Sequence, residues 1–361
     1  MSTRRAARGT PGRGAVSNPE GRFDPLSVEP VEDGWPGDPD EGDPGLPTEL
    51  IPDSSRTVIA RNDSPDVPFD QAINPYRGCE HGCIYCYARP THSWLGMSPG
   101  LDFETRILYK PRAAELLKKE LGSRSYRCRV LALGSNTDPY QPAERRLGIT
   151  RRLLEVLAEC DHPVSIVTKA SLIERDLDLL SAMAEKDLAS AMISVTTLDD
   201  GLKRIMEPRT AAPARRLATI RALADAGVPV GVLVAPVIPV INDHEIEAIL
   251  EAAAAAGADS AAHILLRLPH EVANLFREWL DEHFPERAGH VMSLLQAARG
   301  GRDNDPRFGV RMTGVGPWAD LVHRRFSVAC RRVGLRVGEA RDLDTGRFRP
   351  PAVAGPQMPL L

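Results

Sequence analysis

From about residue 70 the chain alternates two kinds of apolar spacing. Short, nearly continuous apolar runs fall at 72–74, 129–134, 163–168, 189–197, 229–235 and 260–266. Between them lie longer stretches in which apolar residues recur every three or four positions, at 111–121, 143–160, 172–185, 214–226, 243–256 and 271–283. The first kind predicts buried strands and the second amphipathic helices. Leu116, Leu117 and Leu121 share a face of the first helix, and Leu147, Leu153, Leu154 and Leu157 a face of the second. Gly227 and Gly257 close two of the later helices, as C-terminal stops do. Six strands, each followed by a helix and apolar on both faces, predict an α/β fold with a parallel, helix-covered sheet. An open doubly wound sheet and a barrel both suit this alternation. No Gly-x-Gly-x-x-Gly follows the first strand, so a dinucleotide fold lacks its fingerprint.

Outside this repeat the pattern fades. Residues 1–55 are rich in Pro, Gly and acids, have no period, and predict a disordered extension. Past 285 the alternation stops. Residues 299–311 read as a polar loop and 317–333 as a helix anchored by Leu321, Val322, Phe326 and Val328. The tail, 350–361, is Pro-rich and expected to fray. The chain therefore divides into an extension at 1–55, the α/β unit at 60–285, a C-terminal extension at 286–349, and the tail.

Charge and cysteine content narrow the class. The 361 residues carry a net charge of −4. Residues 1–70 hold 14 Asp and Glu against 7 Lys and Arg, and residues 299–349 hold 12 Arg against 6 acids. The arginine-rich end can meet an anionic partner such as nucleic acid, but the overall balance is not that of a basic nucleic-acid binder. The apolar run at 228–241 is broken by prolines and too short to cross a bilayer, and no signal-peptide pattern opens the chain. Six cysteines are too few for a disulfide framework, and three of them cluster, which points to metal chemistry in a reducing, cytoplasmic setting.

The cluster is Cys79, Cys83 and Cys86, spaced Cys-x3-Cys-x2-Cys. Two inorganic centres compete for it. Zinc would need a fourth ligand, with His81 the candidate, in a structural and non-enzymatic protein. Structural zinc, however, usually takes two separated ligand pairs, and His81 would strain to join the same tetrahedron. A [4Fe–4S] cluster takes one thiolate per iron. Three thiolates leave one iron open to a small chelating molecule.

Cys-x3-Cys-x2-Cys with aromatic Tyr85 just before its last cysteine resembles the signature of the radical S-adenosylmethionine (SAM) superfamily. The stretch from Asn74-Pro75-Tyr76-Arg77-Gly78-Cys79 to Cys86-Tyr87-Ala88-Arg89 is similar to the spore photolyase-like branch, as are Ser135-Asn136-Thr137-Asp138-Pro139-Tyr140-Gln141-Pro142 and Glu207-Pro208. The resemblance spans about 60–285. It implies a partial (β/α)6 TIM-type barrel, a [4Fe–4S] cluster on Cys79, Cys83 and Cys86, and SAM on the open iron. The implied activity is reductive cleavage of SAM to a 5′-deoxyadenosyl radical that acts on a substrate, with nucleic acid one class. It also implies an electron donor such as a flavodoxin or ferredoxin.

The same resemblance nominates SAM contacts at strand ends: Lys169 for the carboxylate, Ser135 and Ser194 for the ribose and methionine end, and Ala235 and Tyr85 near the adenine. Asp138, Tyr140, Glu207, Arg209 and Arg267 are further candidates for SAM or substrate. Bland alternatives stand beside them, namely a turn at Asp138-Pro139, a Glu207–Arg209 ion pair and a salt bridge at Arg267. Spore photolyase carries a hydrogen-donating cysteine just before the strand-two serine, where this chain has Gly134. Cys128, at the start of the same strand, reads as a buried thiol.

Overall fold

The computed structural model describes residues 10, 12–23, 46–338 and 342–351. Its strands are β1 (Glu49–Pro52), β2 (Ile59–Arg61), β3 (Gln71–Ile73), β4 (Tyr76–Arg77), β5 (Arg106–Tyr109), β6 (Leu131–Leu133), β7 (Val164–Thr168), β8 (Ala189–Ser194), β9 (Val230–Val237), β10 (Ser260–Leu265) and β11 (Arg336–Val337). Its helices are α1 (Asp102–Thr105), α2 (Ala113–Leu121), α3 (Glu144–Leu147), α4 (Ile149–Glu159), α5 (Leu177–Ala184), α6 (Asp200–Met206), α7 (Pro213–Asp225), α8 (Ile246–Ala255), α9 (Val272–His283), α10 (Pro285–Ala297) and α11 (Pro317–Val333).

The main sheet runs β11-β10-β9-β8-β7-β6-β3-β2. All neighbours are parallel except β2, which lies antiparallel on β3. The six expected strands are β3 and β6–β10, in sequence order. β2 and β11 end the sheet without meeting, so among the described residues it is an open, barrel-like α/β sheet rather than a closed barrel. A small second sheet, β1-β5-β4, stands beside the first strand.

Side chains on a strand alternate between faces. Val164, Ile166, Ala189, Ala191, Ile193, Val230 and Val232 form one face and pack with Leu153, Leu154, Leu157, Ile220, Leu223, Ile249 and Leu250 of the helices. The opposite face lines the concave interior. There Val167, Met192 and Gly231 are register neighbours across three strands, and Gly231 pairs with Ser260 on the fourth. A Cβ on Gly231 would run into the Met192 sulfur and the Ser260 hydroxyl, so the floor of the interior is filled. Because the strands are parallel, the residues after β3, β6, β7, β8, β9 and β10 share one rim, where ligands of such folds bind.

Several elements differ from the sequence reading. The helix expected at 143–160 is two, α3 and α4, because Gly148 sits at φ +59°. Buried Glu144 then caps α4, accepting from the Ile149 and Thr150 N–H groups at 3.0 and 3.1 Å. The region 286–349 contains α10, which was not foreseen, and α11 lies where expected. Leu321 and Val328 are not its anchors. They are 53% and 54% exposed; Val322 and Phe326 are buried as expected, together with Ala319, Ala329 and Cys330. Within the extension predicted to be disordered, β1 pairs with β5 and Ala15 is buried; residues 1–9, 11 and 24–45 lie outside the described residues, as does the tail from 352. Cys128 is half-buried, not buried, because it precedes β6 at the open lower end.

Candidate active site

The cysteine loop leaves β3 at Asn74 and is held by a dense set of hydrogen bonds. Gly78 has φ +81°, and a Cβ there would meet the His92 ring at 2.8 Å and the Phe103 carbonyl at 2.9 Å. The Cys79 N–H donates to that carbonyl at 2.9 Å, and the Ile84 N–H to Met206 O at 3.1 Å. Buried Gln141 accepts from the Glu80 N–H at 2.9 Å and donates to Gly78 O at 3.3 Å. Arg89 is fully buried under the loop. Its guanidinium donates to Cys83 O at 3.0 Å, Gly82 O at 3.2 Å, Pro99 O at 3.1 Å, Gly100 O at 2.9 Å and the Glu104 carboxylate at 2.5 Å. Five bonds engage every N–H that a guanidinium has.

This scaffold leaves three free thiols, of which Cys79 and Cys83 are buried at 7% and 9% exposure and Cys86 is half-buried. Burial pushes all three thiols up: Cys79 well above its ordinary value, with the Asp138 carboxylate and Cys83 adding to the effect, and Cys83 to about 12. For Cys86 the upward push of burial is opposed by Arg89. Thiols this dry ionise only beside positive charge, which bound iron supplies. The backbone N–H groups of Asp138 near Cys79, and of Ala88 and Arg89 near Cys86, act against the upward push of burial. Such donors suit a thiolate and tune a cluster. Among the described residues no three His, Cys, Asp or Glu could hold one metal ion. His81 instead sets its Nδ1 3.3 Å from Asp138 Oδ2. That disfavours a single zinc with His81 as its fourth ligand. A cluster asks only one thiolate per iron. The donor set fits a [4Fe–4S] group.

The rim above the loop carries the polar strand ends. Lys169, after β7, places its ammonium 5.8 Å from the centre of the Tyr85 ring. It has no carboxylate within salt-bridge distance among the described residues. Ser135 exchanges hydrogen bonds with the Asn74 amide at 3.0 and 3.3 Å. Ser194 and Thr196 both donate to the Ala235 carbonyl at 3.4 Å.

Residues 73–253 match the radical SAM superfamily. The chain belongs to that superfamily. It is 40% identical over 232 residues to an uncharacterized protein of Mycobacterium tuberculosis, covering 64% of this chain and 68% of that one. An uncharacterized protein of Acidianus two-tailed virus is 31% identical over 172 residues, 46% of this chain and 56% of the relative. Among solved structures, spore photoproduct lyase complexed with dinucleoside spore photoproduct has a TM-score of 0.57 at 19% identity, covering 80% of this chain and 81% of that one. A mutant of the same lyase with bound AdoMet and the dinucleoside photoproduct gives 0.58 at 18%, over 82% and 87% of the two chains. At that identity the likeness shows a shared fold.

In this radical SAM protein the other candidates sort by burial. Glu207 does not pair with Arg209. It pairs with fully buried Arg216, and accepts from the Tyr85 hydroxyl and, at 2.7 Å, from Thr196. Burial would raise the Glu207 carboxyl, but Arg216 and Lys169 outweigh it and hold it at about 2. Arg209 binds Glu80 at 3.0 Å. Asp138 accepts from Thr168 at 2.7 Å and from the Lys169 N–H at 2.8 Å, so its side chain fastens the cysteine loop to β7. Tyr140 does not face the mouth; it is 1% exposed, with its hydroxyl on Asp176 at 3.1 Å.

On the same rim Tyr87 is 48% exposed, with the Arg267 guanidinium over its ring, 5.7 Å from the centre. The Arg267 Nε is buried without a partner. Gly134 sits at φ +98°, and a Cβ there would overlap the Val167 carbonyl oxygen. The radical SAM chain therefore has no room for a side chain where the lyase branch is expected to carry cysteine. Sequence reasoning missed Glu104, Thr196 and the partnership of Glu207 with Arg216. None lies in a local motif. Arg89 was visible in Cys-Tyr-Ala-Arg but without its role.

Proposed function

We propose that Cys79, Cys83 and Cys86 hold a [4Fe–4S] cluster and that SAM binds its open iron at the rim. Bound together, the cluster and SAM supply a 5′-deoxyadenosyl radical for hydrogen abstraction from a substrate. The observation that carries this reading is the pairing of three thiols on one loop, two of them buried, with a half-buried ammonium, Lys169, that makes no salt bridge among the described residues. In the proposal Lys169 binds the SAM carboxylate. Ser135 and Ser194 offer hydroxyls to its ribose and methionine end. Tyr85, fixed through its hydroxyl by Glu207, and Ala235 bound the adenine. Glu207 stays ionised and Arg216 balances it, so the pocket wall keeps one shape through the reaction.

The substrate enters beside Tyr87 and Arg267. An exposed ring under a guanidinium with a spare N–H suits an anionic substrate, and nucleic acid is the class we favour. Gly134 argues against photoproduct repair by the cysteine route, so the lineage is lyase-like while the final hydrogen donor lies elsewhere. A reduced flavodoxin or ferredoxin would supply the electron in the cytoplasm, where the three thiols stay free. No helix of the described residues is long and apolar enough to cross a membrane.

Replacing Lys169 tests the SAM assignment. Lys169→Met should keep the wild-type iron content and raise the Kd for SAM about 10- to 100-fold, the worth of one charge-assisted hydrogen bond. An unchanged Kd by equilibrium dialysis would remove Lys169 from the site.

A further inference from the structure

The superfamily match begins at residue 73, yet residues far upstream touch the cysteine loop. The Gly14 and Ala15 N–H groups each donate to the Glu104 carboxylate at 2.9 Å, one to each oxygen. Arg13 adds a bond to Glu104 O at 2.9 Å. The same carboxylate receives Arg89, whose other donors hold Gly82 O and Cys83 O. Glu104, Arg89 and Ala15 are all buried, and Ala15 packs in one apolar cluster with Cys83, Ile84 and Tyr85.

Steric fit is as close as the hydrogen bonding. A Cβ on Gly14 would overlap the Gly82 carbonyl oxygen, so only glycine lets the two backbones meet here. A Cβ on Gly100 would likewise overlap Ser17 O. Beyond this point the segment is clasped repeatedly. Asn18 and Asp102 exchange bonds at 3.2 and 3.0 Å, Ser98 donates to Pro19 O at 2.5 Å, and Phe23 lies 4.3 Å from the Trp94 ring.

We infer that residues 13–23 are a strap that forms the outer wall of the cluster site beside Gly82 and Cys83 and bars water and oxidants from it. The inference rests on the cluster reading above. Glu104 is the positioning residue that ties the strap, through Arg89, to the loop carrying the thiols. With the strap displaced, the Gly82–Cys83 peptide loses its cover and the Glu104 carboxylate loses the Gly14 and Ala15 donors. Loss of iron from a buried site follows the population of opened forms, so a loosened wall speeds it while the sheet stays folded.

The test uses the full chain, reconstituted anaerobically, with Gly14→Ala and a chain lacking residues 1–23 as variants. Gly289→Ala is the control, since a methyl there meets nothing within 4 Å. Iron released to a ferrous chelator in air is followed by absorbance, and melting temperature reports the fold. Both variants should release iron about tenfold faster at a temperature where the melting curves show each still folded, while the control matches wild type. Release at the wild-type rate from both variants would overturn the strap. A wild-type chain that takes up no iron would overturn the cluster reading and the strap together.

Discussion

At the scale of residues, the site depends on buried charges that are fully paired. Glu207 and Arg216 are both essentially without solvent. Removing one partner of such a pair leaves the other uncompensated and costs about 3–5 kcal/mol. Glu207→Gln should therefore lower the melting temperature at neutral pH. The pH dependence follows from the direction of the shift. The Glu207 carboxyl, about 2 in the fold, lies below its ordinary 4.5. Its stabilisation is complete above 4.5 and is lost as pH falls from there through about 2. Asp138, also held at about 2 because His81 and neighbouring donors outweigh burial, adds to the same acid window. Thermal melts of Glu207→Gln should thus show a shallower acid decline than wild type; parallel declines would contradict the pairing. The cysteine loop after β3 and the place of Lys169 at the end of β7 were legible because local spacing and strand period mark them. Glu104, Thr196 and Arg216 were not, since their partners come from distant or separate elements.

At the scale of elements, period and punctuation read correctly where the core decides them. The six parallel strands and the helices between them came directly from alternating apolar runs. Short elements escaped because two to four residues carry too little pattern. The register of α11 misled for a different reason. Leu321 and Val328 were taken as core anchors by type, whereas the packed face joins Val322 and Phe326 with small residues, Ala319, Ala329 and Cys330, against β10 and α8. This predicts a contrast. Phe326→Ala, fully buried, should cost about 3–5 kcal/mol by cavity formation. Leu321→Ala should cost no more than about 0.5 kcal/mol, as surface changes do. Chemical denaturation distinguishes the two, and equal costs would place α11 differently. The strap belongs to this scale as well. Its Pro- and Gly-rich composition resembles disorder, and only the loop it lies against gives it a fixed conformation.

At the scale of the whole molecule, an open sheet places six strand ends on one rim and leaves a mouth beside Tyr87 and Arg267. The uneven charge of the chain gains meaning there. Arg311 pairs with Asp66 and lies 4.7 Å from the Phe308 ring, bringing part of the arginine-rich C-terminal region toward that mouth. If nucleic acid is the substrate class, a single-stranded oligonucleotide should bind and lose affinity steeply as salt rises. Arg267→Met should weaken that binding. No binding at low salt would exclude the class while leaving the cofactor site intact. The central claim concerns that cofactor site, and one measurement meets it most directly. Protein reconstituted with iron and sulfide without oxygen is reduced, given SAM, and assayed for 5′-deoxyadenosine and methionine. The account predicts both products in equal amounts from the wild-type chain and neither from Cys83→Ala. Undiminished 5′-deoxyadenosine from Cys83→Ala, or a colourless wild-type protein that holds zinc and leaves SAM intact, would contradict it.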